Sequence, residues 1–303
     1  MYTFSSRLKT FSLILMAVGL LGIVYGFYSA PKDIQEVEVL LAADSHGSHG
    51  ESSHTAPAVA HNEHAAASSH SEKVEKAGHN VKEDAEHKEH LEHVLHQLSN
   101  KPWAAVYVAC IFFMLLSLGT LAFYAIQQVA QAGWSPVLFR VMQGITAYLP
   151  FGSVIFFIIL VLCGLHFNHL FIWLDPEVVA HDKLIQTKSG YLNFPFWIIR
   201  AGIFLLGWNA YRYFSRKNCL AQDEADDNSF YKKNFKMSAG FLVFFIVTES
   251  IMSWDWIMSV DPHWFSTLFG WYVFASFFVS GITMIAIVTL YLKSRGYLEH
   301  VNT

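Results

Sequence analysis

Charge is scarce in this chain. Of 303 residues only 15% are Asp, Glu, Lys or Arg, while 53% are hydrophobic. Soluble proteins carry about a quarter charged residues, so the deficit marks a membrane protein. Cysteine is nearly absent too. Cys110, Cys163 and Cys219 lie far apart, the first two inside apolar runs. There is no CxxC, no CxxCH and no four-cysteine cluster. Covalent haem c, an iron–sulfur cluster and a zinc finger are thereby disfavoured. A Gly-rich loop for a dinucleotide or a phosphate is also missing. No cofactor is expected to be tied to this chain, and nucleic acid is not an expected partner.

What the chain has is long apolar runs. Residues 11–28, FSLILMAVGLLGIVYGFY, are uncharged and follow Arg7 and Lys9. A basic start before an apolar centre also describes a signal peptide. Here the run is long and Ser29-Ala30 is a poor cleavage site, so an uncleaved first helix is expected. Further runs cover 103–128, 148–174, 191–213, 237–254 and 266–292. Each holds roughly the 20 residues that a bilayer core needs. Each must be helical, because a backbone in lipid has to satisfy its own hydrogen bonds. The expected fold is therefore all-α and polytopic, with about six transmembrane helices, one four-helix bundle and a disordered His-rich loop. The divisions are an N-terminal transmembrane helix over 1–30, a His-rich extracytoplasmic linker over 31–100, a four-helix membrane bundle over 101–260, and the start of a second bundle over 261–303.

Residues 44–99 are a different material, rich in Ser, Ala, Glu and Lys and holding eleven of the sixteen histidines. Large apolar residues are almost missing before Leu91, so ordering this segment would recover too little burial and it should be mobile. In 86–96, EHKEHLEHVLH, a Glu-His repeat brings His87, His90, His93 and His96 near one another on a helix surface. A His-rich tract can bind metal; a solvated, pH-responsive linker is the other reading.

Basic residues set the orientation. Arg7, Lys9, Arg140, the group Arg212, Arg216, Lys217, Lys232, Lys233 and Lys236, and finally Lys293 and Arg295 fall on one side. The positive-inside rule makes that side, with the N-terminus, cytoplasmic. The His-rich segment, residues 175–190 and the loop 254–265 then lie outside. With this topology several ionisable residues share one depth. His166 and His169 come near the outer end of one helix, Arg200 in the next, and Glu249 in the one after. Such residues in a membrane are costly and mark an ion path or a paired site. Alone, Glu249 is a neutral acid; beside Arg200 it is a carboxylate. An Arg200–Glu249 pair that only fixes helix packing is the structural alternative. His166 and His169 at i, i+3 fit hydrogen-bonded side chains or proton carriers better than haem ligands, since no second inner helix offers facing histidines.

The stretch 249–272, ESIMSWDWIMSVDPHWFSTLFGWY, joins two spans. Asp255, Asp261 and His263 stand in it, bracketed by Trp254, Trp256, Trp264 and Trp271. Amphipathic aromatics favour the headgroup level, so these groups are expected where protons pass between water and lipid. No spanning run carries the Gly/Pro interruption of a secondary transporter, and the polar layer is off centre.

Two stretches carry a family resemblance. One is Trp173-Leu174-Asp175-Pro176-Glu177-Val178-Val179-Ala180-His181-Asp182, continued by Lys188-Ser189-Gly190-Tyr191-Leu192-Asn193 and by Pro195-Phe196 through Arg200. The other is Ser253-Trp254-Asp255-Trp256-Ile257-Met258-Ser259-Val260-Asp261-Pro262-His263-Trp264-Phe265. Over about 100–303 the chain resembles the ActF family, the quinone-binding subunit 2 of bacterial alternative complex III, which is similar to NrfD-like, polysulfide-reductase-type membrane subunits. The resemblance implies a bacterial inner-membrane subunit of a quinol:cytochrome c oxidoreductase. It implies ten helices in two four-helix bundles plus peripheral helices; this chain supplies about six, so the second bundle is expected to be incomplete. Expected partners are a sister NrfD-like membrane subunit, an iron–sulfur subunit, multihaem cytochrome c subunits, lipid and a terminal oxidase. Haem and iron–sulfur clusters would sit on those partners, with quinol as the possible ligand. Glu249, Asp255, Asp261, His263, Arg200, His166 and His169 are the candidates for an outer-side proton route or quinol pocket. A purely structural subunit is the rival reading.

Overall fold

The computed structural model describes residues 6–47 and 75–298. Over those residues the chain is all-helical, without strands. The helices are α1 (Ser6–Ser29), α2 (Ile34–Gly47), α3 (Glu75–Val129), α4 (Phe139–Ile145), α5 (Leu149–Gly164), α6 (Pro176–His181), α7 (Lys183–Lys188), α8 (Phe194–Glu224), α9 (Ser229–Trp256) and α10 (Phe269–Ser294). Five stretches are long and apolar enough to cross a membrane: Ser6–Ser29, Gln97–Val129, Ser135–Gly164, Ser229–Val260 and Phe269–Ser294. Helix α8 is not among them: although long, it carries Arg200, Asn209 and Arg212 within its apolar run.

Two compact units divide the chain, Met1–Trp103 and Ala104–Thr303. In the first, α1 buries none of its residues. Phe27 at its end meets the edge of Trp103, with ring centroids 5.0 Å apart. Val37 of α2 is fully buried.

Helix α3 begins earlier than the apolar run from Trp103. It starts at Glu75, so the helix expected around 86–96 is part of a longer one that takes in residues 75–99. Ala, Glu, Lys, Gln and Leu dominate this stretch, and such side chains lose little freedom in a helix. The helix even runs through Pro102, a residue that costs about 3 kcal/mol in a helix interior. The rest of the His-rich segment, residues 48–74, lies outside the described residues. So do the side chains of His87, His90, His93 and His96, and with them the metal-site reading of that tract.

A second expectation fails at 148–174. Helix α5 stops at Gly164. His166 adopts φ +60°, a left-handed conformation. The Phe167 N–H then donates to Leu162 O at 3.1 Å and the His166 N–H to Cys163 O at 3.2 Å. These are the two bonds of a Schellman cap. Residues 165–171 therefore leave the helix.

In the second unit α9 packs along α8 and α10, α8 along α5, and α10 along α4. Helices α3 and α10 touch through glycine. A Cβ on Gly119 would lie 2.5 Å from Phe277 O, and one on Gly281 2.7 Å from Thr120 N. Small residues of this kind let helices in lipid gain dispersion contact at close range. Aromatic rings fill the interior. Trp197, Trp208, Trp256 and Phe156 are fully buried. Phe156 and Trp208 stand 4.9 and 5.9 Å from Trp256, and Tyr211 stacks on Phe241 at 3.9 Å.

Replacing Gly281 by Leu should wedge α3 from α10 and destabilise the protein by about 1–3 kcal/mol. Thermal unfolding in detergent measures this. Gly240→Leu, where a Cβ meets open space, should leave the midpoint unchanged.

Candidate functional site

The geometry begins with how α9 ends. The last carbonyls of a helix have no partner within it. Here neighbouring side chains supply them. Trp197 Nε1 of α8 donates to Asp255 O at 2.9 Å, Ser259 Oγ donates to the same atom at 2.6 Å, and Tyr107 of α3 donates to Trp256 O at 2.6 Å. The terminus is thus pinned against α3 and α8, and the Asp255 side chain is held inside the protein.

Arg200 meets it there. Arg200 Nε donates to Asp255 Oδ2 at 2.6 Å and Nη2 to Oδ1 at 3.0 Å, a two-pronged contact. Tyr191 OH donates to Oδ1 at 2.8 Å, and Arg200 Nη1 donates to Tyr191 O at 3.3 Å. The guanidinium also lies 3.9 Å from the Tyr191 ring centre and 4.2 Å from that of Phe196. Side-chain exposure is 9% for Arg200 and 0% for Asp255. Both carboxylate oxygens are bonded and the guanidinium lies against two mutually perpendicular rings. Flat bidentate geometry and aromatic faces are what an arginine uses best.

Two loops close over this pair. Lys188 Nζ donates to Pro262 O at 2.5 Å. His263 Nε2 lies 2.5 Å from Asp182 Oδ2, with Asp261 Oδ1 3.8 Å from His263 Nδ1. Asp182 also caps α7, its Oδ1 accepting from Leu184 N at 2.8 Å and Ile185 N at 3.2 Å. The Ile185 amide first of all, and His263 after it, hold the Asp182 carboxyl below its usual value.

The expected residues are therefore only partly together. Arg200 and Asp255 meet; Asp261 and His263 form a separate, exposed group above them. Glu249 is not the partner of Arg200. It is buried, its Oε2 accepts from Ser250 Oγ at 3.3 Å, and its Oε1 has no partner. The pairing shifts because α9 continues to Trp256, bringing Asp255 into the last turn of the helix. His166 and His169 lie beyond the helix break, with no shared helical face. His169 Nδ1 is 3.9 Å from Asp175 Oδ2. Trp256 belongs to the core and not to an interfacial belt, whereas Trp264 and Trp271 are exposed. Among the described residues no group of His, Cys, Asp and Glu is arranged to hold a metal.

A second polar cluster, not anticipated, sits at the other end of the helices. The Tyr124 hydroxyl of α3 lies 3.0 Å from Gln128 Nε2, 3.2 Å from Gln143 Nε2, 3.0 Å from Asn234 Nδ2 and 3.2 Å from Ser215 Oγ. Ser215 gives its own proton to Asn234 Oδ1 at 2.7 Å, so Tyr124 is the donor toward Ser215. All five residues are buried. They come from α3, α4, α8 and α9, so the cluster ties four helices together. None is charged, which is why a scan for ionisable residues passes over them.

Comparison with family models and with curated proteins gives no match.

Removing one member of the buried pair, by Arg200→Met or Asp255→Asn, should cost about 3–5 kcal/mol, since the other is left unpaired. Arg200→Met with Asp255→Leu should regain much of that loss in chemical unfolding. The N-cap supplies a pH test. A carboxyl with a lowered folded value stabilises above its unfolded value of 3.8 and loses that contribution as pH falls through the lowered one. Hydrogen-exchange protection at Leu184 and Ile185 should thus hold at pH 5 and fall below about 3.8; in Asp182→Ala it should be low throughout.

Proposed function

We propose that this chain is an integral membrane subunit of a quinol:cytochrome c oxidoreductase of the alternative complex III type. In this reading α8 is the sixth span, α3, α5, α8 and α9 make one four-helix bundle, and the N-terminus is cytoplasmic in a bacterial inner membrane. One observation carries the reading. The two stretches that resemble the family, about 173–200 and 253–265, fold into a single cap. Arg200–Asp255, Lys188–Pro262 and Asp182–His263 join them.

The buried ion pair offers little to a quinone. Asp255 has no exposed surface, and both its oxygens are bonded to this chain's own side chains. The chain's part in quinol oxidation is accordingly support: it braces the assembly and offers proton-carrying groups on the outer side. Glu249 is the residue best suited to the second task, because it is buried and has a carboxyl oxygen without a partner. Asp261 and His263, at the surface, would pass the proton to water. Electron transfer would run through haem and iron–sulfur centres on the cytochrome, iron–sulfur and sister membrane subunits, and onward to a terminal oxidase. The bonding of Asp255 also favours a second reading, an assembly subunit with no proton role.

Glu249→Gln in the whole complex separates the two. The expected result is normal assembly with slowed quinol oxidation and reduced proton release to the outside. Normal assembly with unchanged rates would leave the assembly role alone. Arg200→Met should instead lower the amount of assembled complex.

A further inference from the structure

At the end of the helices that holds the Tyr124 cluster, a groove of about 450 Å³ opens between α3, α4 and α10. Arg140, Gly144, Tyr148, Met284, Val288 and Leu292 are among its lining residues. Apart from Arg140 its walls are almost wholly apolar, and two of the helices that flank it, α3 and α10, are long and apolar enough to cross a membrane.

Two features select an occupant. The first is charge. Arg140 Nη1 donates to Gln143 Oε1 at 3.0 Å, and Nη2 to Cys219 O and to Asp223. These bonds hold the guanidinium between α4 and α8 and leave its Nε–H unused, while Arg140 itself lines the groove. Asp223 offsets part of the charge but is itself largely exposed, and Lys293 directly follows the lining residue Leu292, with Arg295 after Ser294. With the orientation of the proposed function, on which this inference rests, the groove is on the cytoplasmic side, where basic pockets between transmembrane helices recognise anionic headgroups. The second is Gly144. It sits within α4, where glycine costs about 1 kcal/mol relative to alanine, and a Cβ there would meet nothing within 4 Å. The helix leaves this wall of the groove bare.

We propose that the groove holds an acyl chain of an anionic phospholipid, with the lipid phosphate against Arg140. Chain burial between α3 and α10 supplies apolar contact, and the guanidinium supplies the selection for charge.

The test is to reconstitute the full chain in nanodiscs of phosphatidylglycerol and phosphatidylcholine and to count retained lipid by native mass spectrometry. Retained phosphatidylglycerol should exceed phosphatidylcholine by about fivefold per basic contact. Gly144→Leu, which fills the groove without a clash, should lose one lipid while keeping its melting temperature. Arg140→Gln should keep a lipid but lose the preference, and Asp223→Asn, which leaves the cation in place, should keep both. The proposal is overturned if Gly144→Leu retains as much lipid as the parent, if phosphatidylcholine is retained equally, or if added menaquinone displaces the lipid.

Discussion

A single ion pair governs one end of the helices in the second unit. Moving one charge into a low-dielectric interior is expensive, and the attraction of a partner repays that only when geometry is good and the remaining hydrogen-bond sites are filled. Arg200 and Asp255 meet both conditions. The carboxylate takes three donors, and the cation is covered by the rings of Tyr191 and Phe196. Meeting them fixes much else. Tyr191 must stay near the start of α8, α9 must run as far as Asp255, and Trp197 must reach that residue's carbonyl.

The two ends of the helices use different chemistry for the same purpose. Where α9 ends, charge is neutralised by charge, and two loops are tied together through Lys188 and His263. At the other end, neutral amides and hydroxyls converge on Tyr124. Between them the glycine contact of α3 with α10 needs no polar group. Each arrangement answers the same problem: in lipid there is no hydrophobic drive between helices, so packing and internal hydrogen bonds must hold them.

Much of this could be read from the residues. Uncharged runs of membrane length gave away α1, the second half of α3 and α10, and the isolated charges within spans pointed to Arg200. The partner was harder. Asp255 stands among Trp254, Trp256 and Ile257, and such a string reads equally as helix or as interfacial loop; only the capping by Trp197 and Tyr107 decides it. The early end of α5 was hidden because its stop residue is His166, not the usual glycine, and apolar residues continue on the far side. Of the helicity over 75–99 only the Glu-His repeat at 86–96 was legible. A polar composition argues against a packed core, yet says little against a helix continuous with an apolar one. The Tyr124 cluster has no sequence period at all, since its members come from four separate helices.

The aromatic layer around Trp208, Trp256 and the Tyr211–Phe241 stack separates the two polar ends. A dry layer of rings is the part of a membrane protein across which a voltage drops. Work done by that field is about 2.3 kcal/mol for each elementary charge carried through 100 mV. Arg200 and Asp255 lie side by side on one flank of the layer and sum to zero, so the membrane potential has almost no grip on them. The clasp is thereby the same clasp in an energised membrane and in a de-energised one.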